Sequence, residues 1–552
     1  DSKFYRNRTI GESKGKGLLI VNTSQTTHWT VNSILSYDKA WGSDHRLRLL
    51  LGSEINERAN SSVNASATGF AFEGMDELVN GSTIVKPALG AGSSSSDRLV
   101  GFFSRAEYDL YNRYFFSASL RRDGSSRFHP DTRWGNFWSA GASWIISQEK
   151  FLQNCKWLSL LKLRVSYGTS GNIGTNDYRS YYATGYMFLG TPGVYISELA
   201  NKNLKWEINK QLNVGIDAAF VNDRIRLTLD WYNRQTDDLF YNVPLSPSIG
   251  FKQVLRNIGS LRNRGLELSI TTRNIQTKDF EWTTNFNISN KNEILALNQD
   301  EFITGNRIYK VGQSTTEFFI REYAGVNPEN GKPQWYIDEV STQTGERTGN
   351  RVTTENWNET VIKTIKLDDG STKTVRNLGR YSVGNYTPTI SGGLYNTFRI
   401  GNFDLGILVN YSLGAKILMA DYAPLTNSGS STVKLFHHDM LNRWQKKGDV
   451  TDIPRLTTTS VNNYTGSFSY TSTFYMRSGD YLKLKTLHLG YMLPSKMNKA
   501  LHIAGAQFYL QADNVCYFSA EQGFDPEQVS GGVVTNSFPT LSTYSVGVKL
   551  DF

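Results

Sequence analysis

The chain ends in an alternating run. Tyr544, Val546, Val548, Leu550 and Phe552 are apolar, while Ser545, Gly547, Lys549 and Asp551 between them are small or charged. Successive side chains of a strand point to opposite faces, so this run has one apolar and one polar face. The pattern recurs at Leu161, Leu163, Val165 and Tyr167, and at Leu212, Val214, Ile216, Ala218 and Phe220. It returns at Ile225, Leu227, Leu229 and Trp231, at Trp282, Thr284, Phe286 and Ile288, and at Phe403, Leu405, Ile407, Val409 and Tyr411. Stretches of about ten such residues are what a transmembrane β-barrel requires, apolar toward lipid and polar toward a wet interior. One segment breaks phase. Leu482 and Leu484 are apolar at even positions, but Leu487, Leu489 and Tyr491 are odd. A bulge near Thr486 would switch the faces in this way.

Composition supports a membrane wall over a soluble core. Aromatic residues are 13% of the 552, with 29 Tyr and 29 Phe, enough for girdles at two membrane interfaces. Mean hydropathy is −0.41, and no apolar run approaches the roughly 20 residues of a spanning helix. The two cysteines, Cys155 and Cys516, supply no disulfide framework and read as unpaired thiols. Net charge is +9, but Lys and Arg are dispersed, with no basic helix or RNA-binding signature. This excludes a nucleic-acid partner and favours an anionic membrane surface or an anionic partner.

Connections alternate in length. Short ones lie near 41–44, 111–113, 148–158, 221–223, 274–279, 399–402 and 494–503. Long ones lie near 59–97, 171–204, 239–257, 294–388, 416–480 and 516–540, with a medium one at 123–135. Short turns on one side and long loops on the other is the outer-membrane arrangement, the short turns being periplasmic. The strand at about 27–40 then runs inward, and residues 1–26 read as an extracellular loop segment. The count is roughly fifteen strands, or about seventeen if 294–388 adds a pair, whereas single-chain bacterial barrels have even numbers. The fold expected is all-β: an antiparallel transmembrane barrel of which residues 27–552 are the C-terminal portion. The polar Asp1–Gly15 reads as the middle of a loop, with no signal peptide.

Several segments resemble the SusC/RagA family of TonB-dependent outer-membrane transporters of Bacteroidota. Tyr114–Phe151 carries R-x-DGSSRF, a Trp-Gly, a strand ending in W-x-I-S and an E-x-F turn. LKLRVSYGTSGN (Leu161–Asn172), NLKWEINKQLNVGIDAAF (Asn203–Phe220) and LDWYNRQTDDLFY (Leu229–Tyr241) follow in order. NIGSLRNRGLELSI (Asn257–Ile270), YLKLKTLHLGYMLP (Tyr481–Pro494) and the closing strand complete the likeness. By resemblance to outer-membrane proteins generally, terminal Phe552 is an assembly signal. The family barrel has about 22 strands, so roughly five to seven of them, the plug and the TonB box would lie outside these residues. They would sit on a separate chain, on a cleaved product, or in sequence not included here.

The resemblance implies import of an oligosaccharide or a peptide, with a SusD-like lipoprotein over the outer mouth. TonB would act through the missing N-terminal part, in the Gram-negative outer membrane among its lipid and lipopolysaccharide. It implies no enzyme activity and no cofactor. The alternatives are a receptor or adhesin, or a barrel-embedded enzyme, without active transport. No G-x-S-x-G, Walker or H-E-x-x-H pattern occurs. The candidate substrate-binding residues are the aromatics of the 171–204 loop: Tyr178, Tyr181, Tyr182, Tyr186, Phe188 and Tyr195. Aromatic faces stack on sugar rings or peptide side chains, and Tyr adds a hydroxyl. Trp357, Tyr464, Phe468, Tyr470 and Phe524 share that chemistry, though loop self-packing would use the same residues. The DGSSRF segment reads as a turn in which Asp123 pairs with an arginine. Arg164, Asp217, Arg226 and Glu267 read as interior-facing, hydrated or salt-bridged. His437, His438 and Asp439 are adjacent, so on a strand or helix their side chains would diverge, and no metal is expected. Asp368-Asp369-Gly370 reads as a turn and not a calcium loop.

Overall fold

Period-two alternation becomes strand wherever it is strong. The computed structural model describes residues 2–6, 16–72, 74, 77–85, 92–175, 177–179, 181–188, 191–296, 301–426, 436–456, 471–521, 523–529, 531–535 and 538–552. Contacts divide the chain into two units. The first is Asp1–Ile145, Arg164–Asn213 and Arg234–Ser260; the second is Ile146–Leu163, Val214–Asn233 and Leu261–Phe552.

The first unit holds a wall of five consecutive antiparallel strands: β1 (Leu18–Trp41), β2 (His45–Phe70), β3 (Gly92–Leu110), β4 (Tyr114–Ser125) and β5 (Trp134–Ile145). Register puts Leu51, Ser104, Leu120 and Trp138 in line on one face. Leu120 there is 64% exposed. The opposite face carries Gly52, Phe103, Arg121 and Phe137, with Arg121 bridging to Glu54 and Asp123. Large apolar side chains open to their surroundings on a long strand face need a partner or a bilayer.

Four strands carry the chain through both units: β6 (Leu158–Asn172), β7 (Glu207–Phe220), β8 (Ile225–Asp237) and β9 (Ser260–Gln276). The second unit adds six antiparallel strands: β10 (Phe280–Ala296), β11 (Ile390–Ile400), β12 (Phe403–Leu413), β13 (Tyr481–Met492), β14 (Gly505–Ser519) and β15 (Thr543–Asp551). Its polar side chains form cross-strand ladders such as Asn274–Thr284–Asn396, with Trp282 Nε1 donating to Asn396 at 3.0 Å. Such pairs are the unit of sheet stabilisation. Asp217 accepts from Thr228 at 3.2 Å, and Arg226 pairs with Asp223 at 3.3 Å. At Gly392 an added Cβ would meet the Asn287 carbonyl oxygen at 2.1 Å, where the Tyr411 hydroxyl lies over the strand and donates to that oxygen.

Fifteen long strands are thus described, and 301–389 contributes none. That loop instead folds into short strands of its own, with a core of Trp335, Trp357, Ala423 and Tyr475 reaching into the next long loop. The phase break also appears where alternation places it. Leu408 pairs with Thr486 and Val409 with Leu484, so Lys485 is the extra residue. One expected loop differs. Residues 59–70 and 92–97 belong to β2 and β3, and β1 begins at Leu18, nine residues before the expected 27. There Ser, Thr and Asn interrupt the alternation although the backbone ladder continues, and Leu19, Ala67 and Phe70 pack into a small cluster of their own. Short turns gather aromatic pairs: Tyr114–Trp144 in the first unit, Trp157–Phe220, Trp282–Phe398 and Phe403–Tyr491 in the second.

Candidate functional site

A pocket in the long loops

The long-loop end of the first unit rests on one aromatic cluster. Phe128, Phe137, Leu204 and Trp206 are buried, with Leu99, Ile173, Tyr178, Phe240 and Leu255 packed against them. The R-x-DGSSRF segment builds its floor. Arg121 holds buried Asp123 at 2.8 Å, Arg127 pairs with Asp97 at 2.9 Å, and Phe128 is fully buried. The segment is therefore a structural turn, with Asp123 paired to an arginine. The Asn203–Phe220 segment supplies the opposing side: Trp206 Nε1 donates to the Arg133 carbonyl at 2.8 Å. Buried Glu207 accepts from Asn172 at 2.7 Å and from the Phe240 amide at 2.6 Å. Asn257 donates to the carbonyls of Lys205 and Asp238, both at 2.8 Å.

Two hairpins rise from this floor. One pairs Tyr181–Phe188 with Thr191–Glu198; the other pairs Phe240–Pro244 with Gln253–Asn257. The second turns at Gly250, whose φ of +79° suits glycine. Between them lies a pocket of about 550 Å³ lined by Asp177, Arg179, Tyr195, Glu198, Lys252 and Gln253, among others. Asp177 and Arg179 form an ion pair at 2.7 Å. The lining thus offers both charge signs, amides and one exposed tyrosine. This is chemistry for binding a polar ligand.

The expected site residues separate. Tyr195 lines the pocket. Tyr178 packs into the cluster below, edge-on to His129 at 5.4 Å, and its backbone joins Arg127 to Asn201. Tyr181, Tyr182, Tyr186 and Phe188 lie on the first hairpin strand. Their side chains fall outside the described residues, as do Tyr464, Phe468 and Tyr470 altogether. Trp357 and Phe524 are buried in loop cores. Arg179, Glu198 and Lys252 were not singled out by sequence. Their only signal was charge flanking an aromatic loop.

His437, His438 and Asp439 do not diverge. Their donor atoms lie within 4.8 Å of one another. His438 and Asp439 open a short 3₁₀ helix, and His437 is its N-cap in extended geometry outside it. Asp368-Asp369-Gly370 is a turn, with Asp369 accepting from Ser371. Cys155 and Cys516 are free thiols.

Relatives

A family profile described as TonB dependent receptor-like, beta-barrel, matches residues 2–515. The chain belongs to the TonB-dependent receptor β-barrel family. Within it the chain is of SusC/RagA type. It is 30% identical over 492 residues to the TonB-dependent receptor SusC of Bacteroides thetaiotaomicron, covering 83% of this chain and 44% of that one. It is 28% identical over 557 residues to the TonB-dependent receptor P3 of Formosa agariphila, covering 96% and 52%. The solved structure of the RagAB peptide transporter aligns with a TM-score of 0.85 at 27% identity, over 100% of this chain and 58% of that one. The chain spans about half the length of the curated relatives it matches. Membership makes it an outer-membrane β-barrel protein. The exposed apolar strand faces are then lipid-facing, and the short turns and long loops mark the two membrane sides. The relatives are receptors and transporters, not enzymes.

Proposed function

We propose that this chain is the C-terminal wall of a TonB-dependent importer, moving a peptide or an oligosaccharide across the outer membrane. A single observation carries the reading: the whole chain aligns with the RagAB transporter structure at a TM-score of 0.85. In this reading residues 1–26 are an outer segment whose Leu18–Thr26 stretch extends the first strand beyond the membrane, and 27–552 are the barrel portion. The plug, the TonB box and the early strands come from outside these residues, and Phe552 is the assembly signal. A SusD-like lipoprotein closes the outer mouth. The pocket around Tyr195 is a surface of this chain that the substrate contacts, together with the aromatics of the Tyr181–Phe188 strand. Its paired charges favour a peptide, which has groups of both signs, over a neutral glycan.

The test is uptake of labelled peptide or oligosaccharide by cells with and without TonB. The proposal expects uptake to require TonB, and a lipoprotein to co-purify in mild detergent. Binding without any TonB-dependent uptake would favour a receptor or adhesin. Turnover of the ligand, lost on changing a loop Ser or His, would favour a barrel-embedded enzyme.

A further inference from the structure

Three side chains in the second unit converge away from the loop pocket. His437 Nδ1 lies 3.0 Å from one carboxylate oxygen of Asp439, and His438 Nε2 lies 3.0 Å from the other. We propose that His437, His438 and Asp439 bind one divalent transition-metal ion of the zinc class, leaving a coordination position open.

Spacing is the first argument. A tetrahedral ion about 2.0–2.1 Å from each donor holds the donors roughly 3.3 Å apart. The three donor atoms already lie within 4.8 Å of one another, so small rotations close the set.

The second argument is one carboxylate shared between two imidazoles. His437 Nδ1 faces Asp439 Oδ2 and His438 Nε2 faces Asp439 Oδ1, both at 3.0 Å. A divalent cation takes the place of the ring protons in such a set, because the ligating form of imidazole is the neutral one.

Support from a second layer is the third. Tyr422 donates to Asp439 Oδ2 at 2.5 Å, and its ring packs edge-on against His437 at 4.9 Å. Tyr422 itself packs against the buried Trp335–Trp357–Ala423–Tyr475 cluster. Partners that fix ligand orientation in this way are typical of metal sites. Two imidazole nitrogens with one carboxylate oxygen suit zinc and its neighbours, whereas calcium and magnesium take oxygen sets. His438 is 79% exposed at its side chain, so an ion reaches the site from solvent.

The experiment uses the full chain in detergent, stripped with EDTA and titrated with Co²⁺ and then Zn²⁺ alone. Uptake of one equivalent is expected, with the visible absorption of a four- or five-coordinate Co²⁺ that Zn²⁺ displaces. His438→Ala and Asp439→Asn should abolish it, while His502→Ala, in a short turn, should not. Tyr422→Phe should weaken affinity about 10–100-fold. His438 is exposed, so its loss leaves the fold standing, which circular dichroism checks. The proposal is overturned if the parent chain takes up no ion saturably, or if His438→Ala and Asp439→Asn bind as the parent does. Either result would leave only a protonated imidazole–carboxylate pair.

Discussion

Arg321 and Arg380 are register partners on the antiparallel strands Glu317–Arg321 and Arg380–Asn385, and among the described residues neither meets a carboxylate. Arg321 is 5% exposed, donates to Thr360 at 2.7 Å and lies 3.7 Å over the Trp357 ring. Burial, with Arg380 adding to it, pushes its pKa down to about 9. The sign follows. Folding disfavours the proton on Arg321, so the group costs stability at neutral pH, and that cost shrinks only as pH climbs past about 9. Like charges directly opposite on a sheet destabilise it, so Arg380→Gln should stabilise this loop by about 0.2–1 kcal/mol. Amide exchange of Glu317–Arg321 should slow; faster exchange would contradict the account.

Lys483 is 2% exposed and meets Asp525 at 3.3 Å and Glu527 at 2.8 Å, while Lys485 meets Glu527 at 2.6 Å. Burial pulls both carboxyls upward, but hydrogen bonds and the two ammonium groups outweigh it, and both end below their ordinary range. Carboxylates of lowered pKa contribute stability above their ordinary values and lose it as pH falls through the folded ones. The Asp525–Gln528 turn should therefore hold its seat on β13 at neutral pH and lose it as pH falls through the lowered carboxyl values. Lys483→Met leaves buried Asp525 without its ammonium partner and Glu527 with Lys485 alone, and should cost about 3–5 kcal/mol. Limited proteolysis across the pH range reads both, and a loop equally protected at pH 3 and pH 7 would refute the latch.

Phe128 lies 5.5 Å from Trp206 in the cluster under the loop pocket. Phe128→Ala should cost about 3–5 kcal/mol and lower the thermal midpoint in detergent. Tyr178→Phe keeps the packing and should cost under about 1 kcal/mol. If both variants melted with the parent chain, the cluster would not be the floor described.

Tyr195→Ala and Lys252→Glu alter the pocket lining without touching that floor. Each should weaken peptide binding about 5–30-fold with the melting point unchanged, corresponding to about 1–2 kcal/mol. Isothermal titration measures it, and parent-like affinity in both would move the substrate elsewhere.

The walls were legible because lipid on one face and water on the other forces period two. Even the extra residue Lys485 showed as a phase shift between Leu484 and Leu487. Where β2 and β3 continue past Asn60 and before Asp97, Ser, Thr and Asn fill most positions of both faces, so the sequence lost its rhythm although hydrogen bonding went on. The loop aromatics were ambiguous for a different reason. Trp357, Phe524 and Tyr178 pack loops together with the same chemistry by which Tyr195 lines a pocket. His437, His438 and Asp439 were hidden because divergence of neighbours holds within one regular element, and here an extended cap, His437, meets the first turn of a 3₁₀ helix.

The central claim is that alternate residues of these strands face lipid. The most direct test is a nitroxide scan of Tyr481–Met492 in outer-membrane vesicles, with Cys155 and Cys516 replaced, comparing collisions with oxygen and with a water-soluble nickel complex. The account predicts oxygen maxima at 482, 484, 487 and 489, with nickel out of phase and the switch at Lys485. Uniform nickel access, or alternation running unbroken through 485, would contradict it.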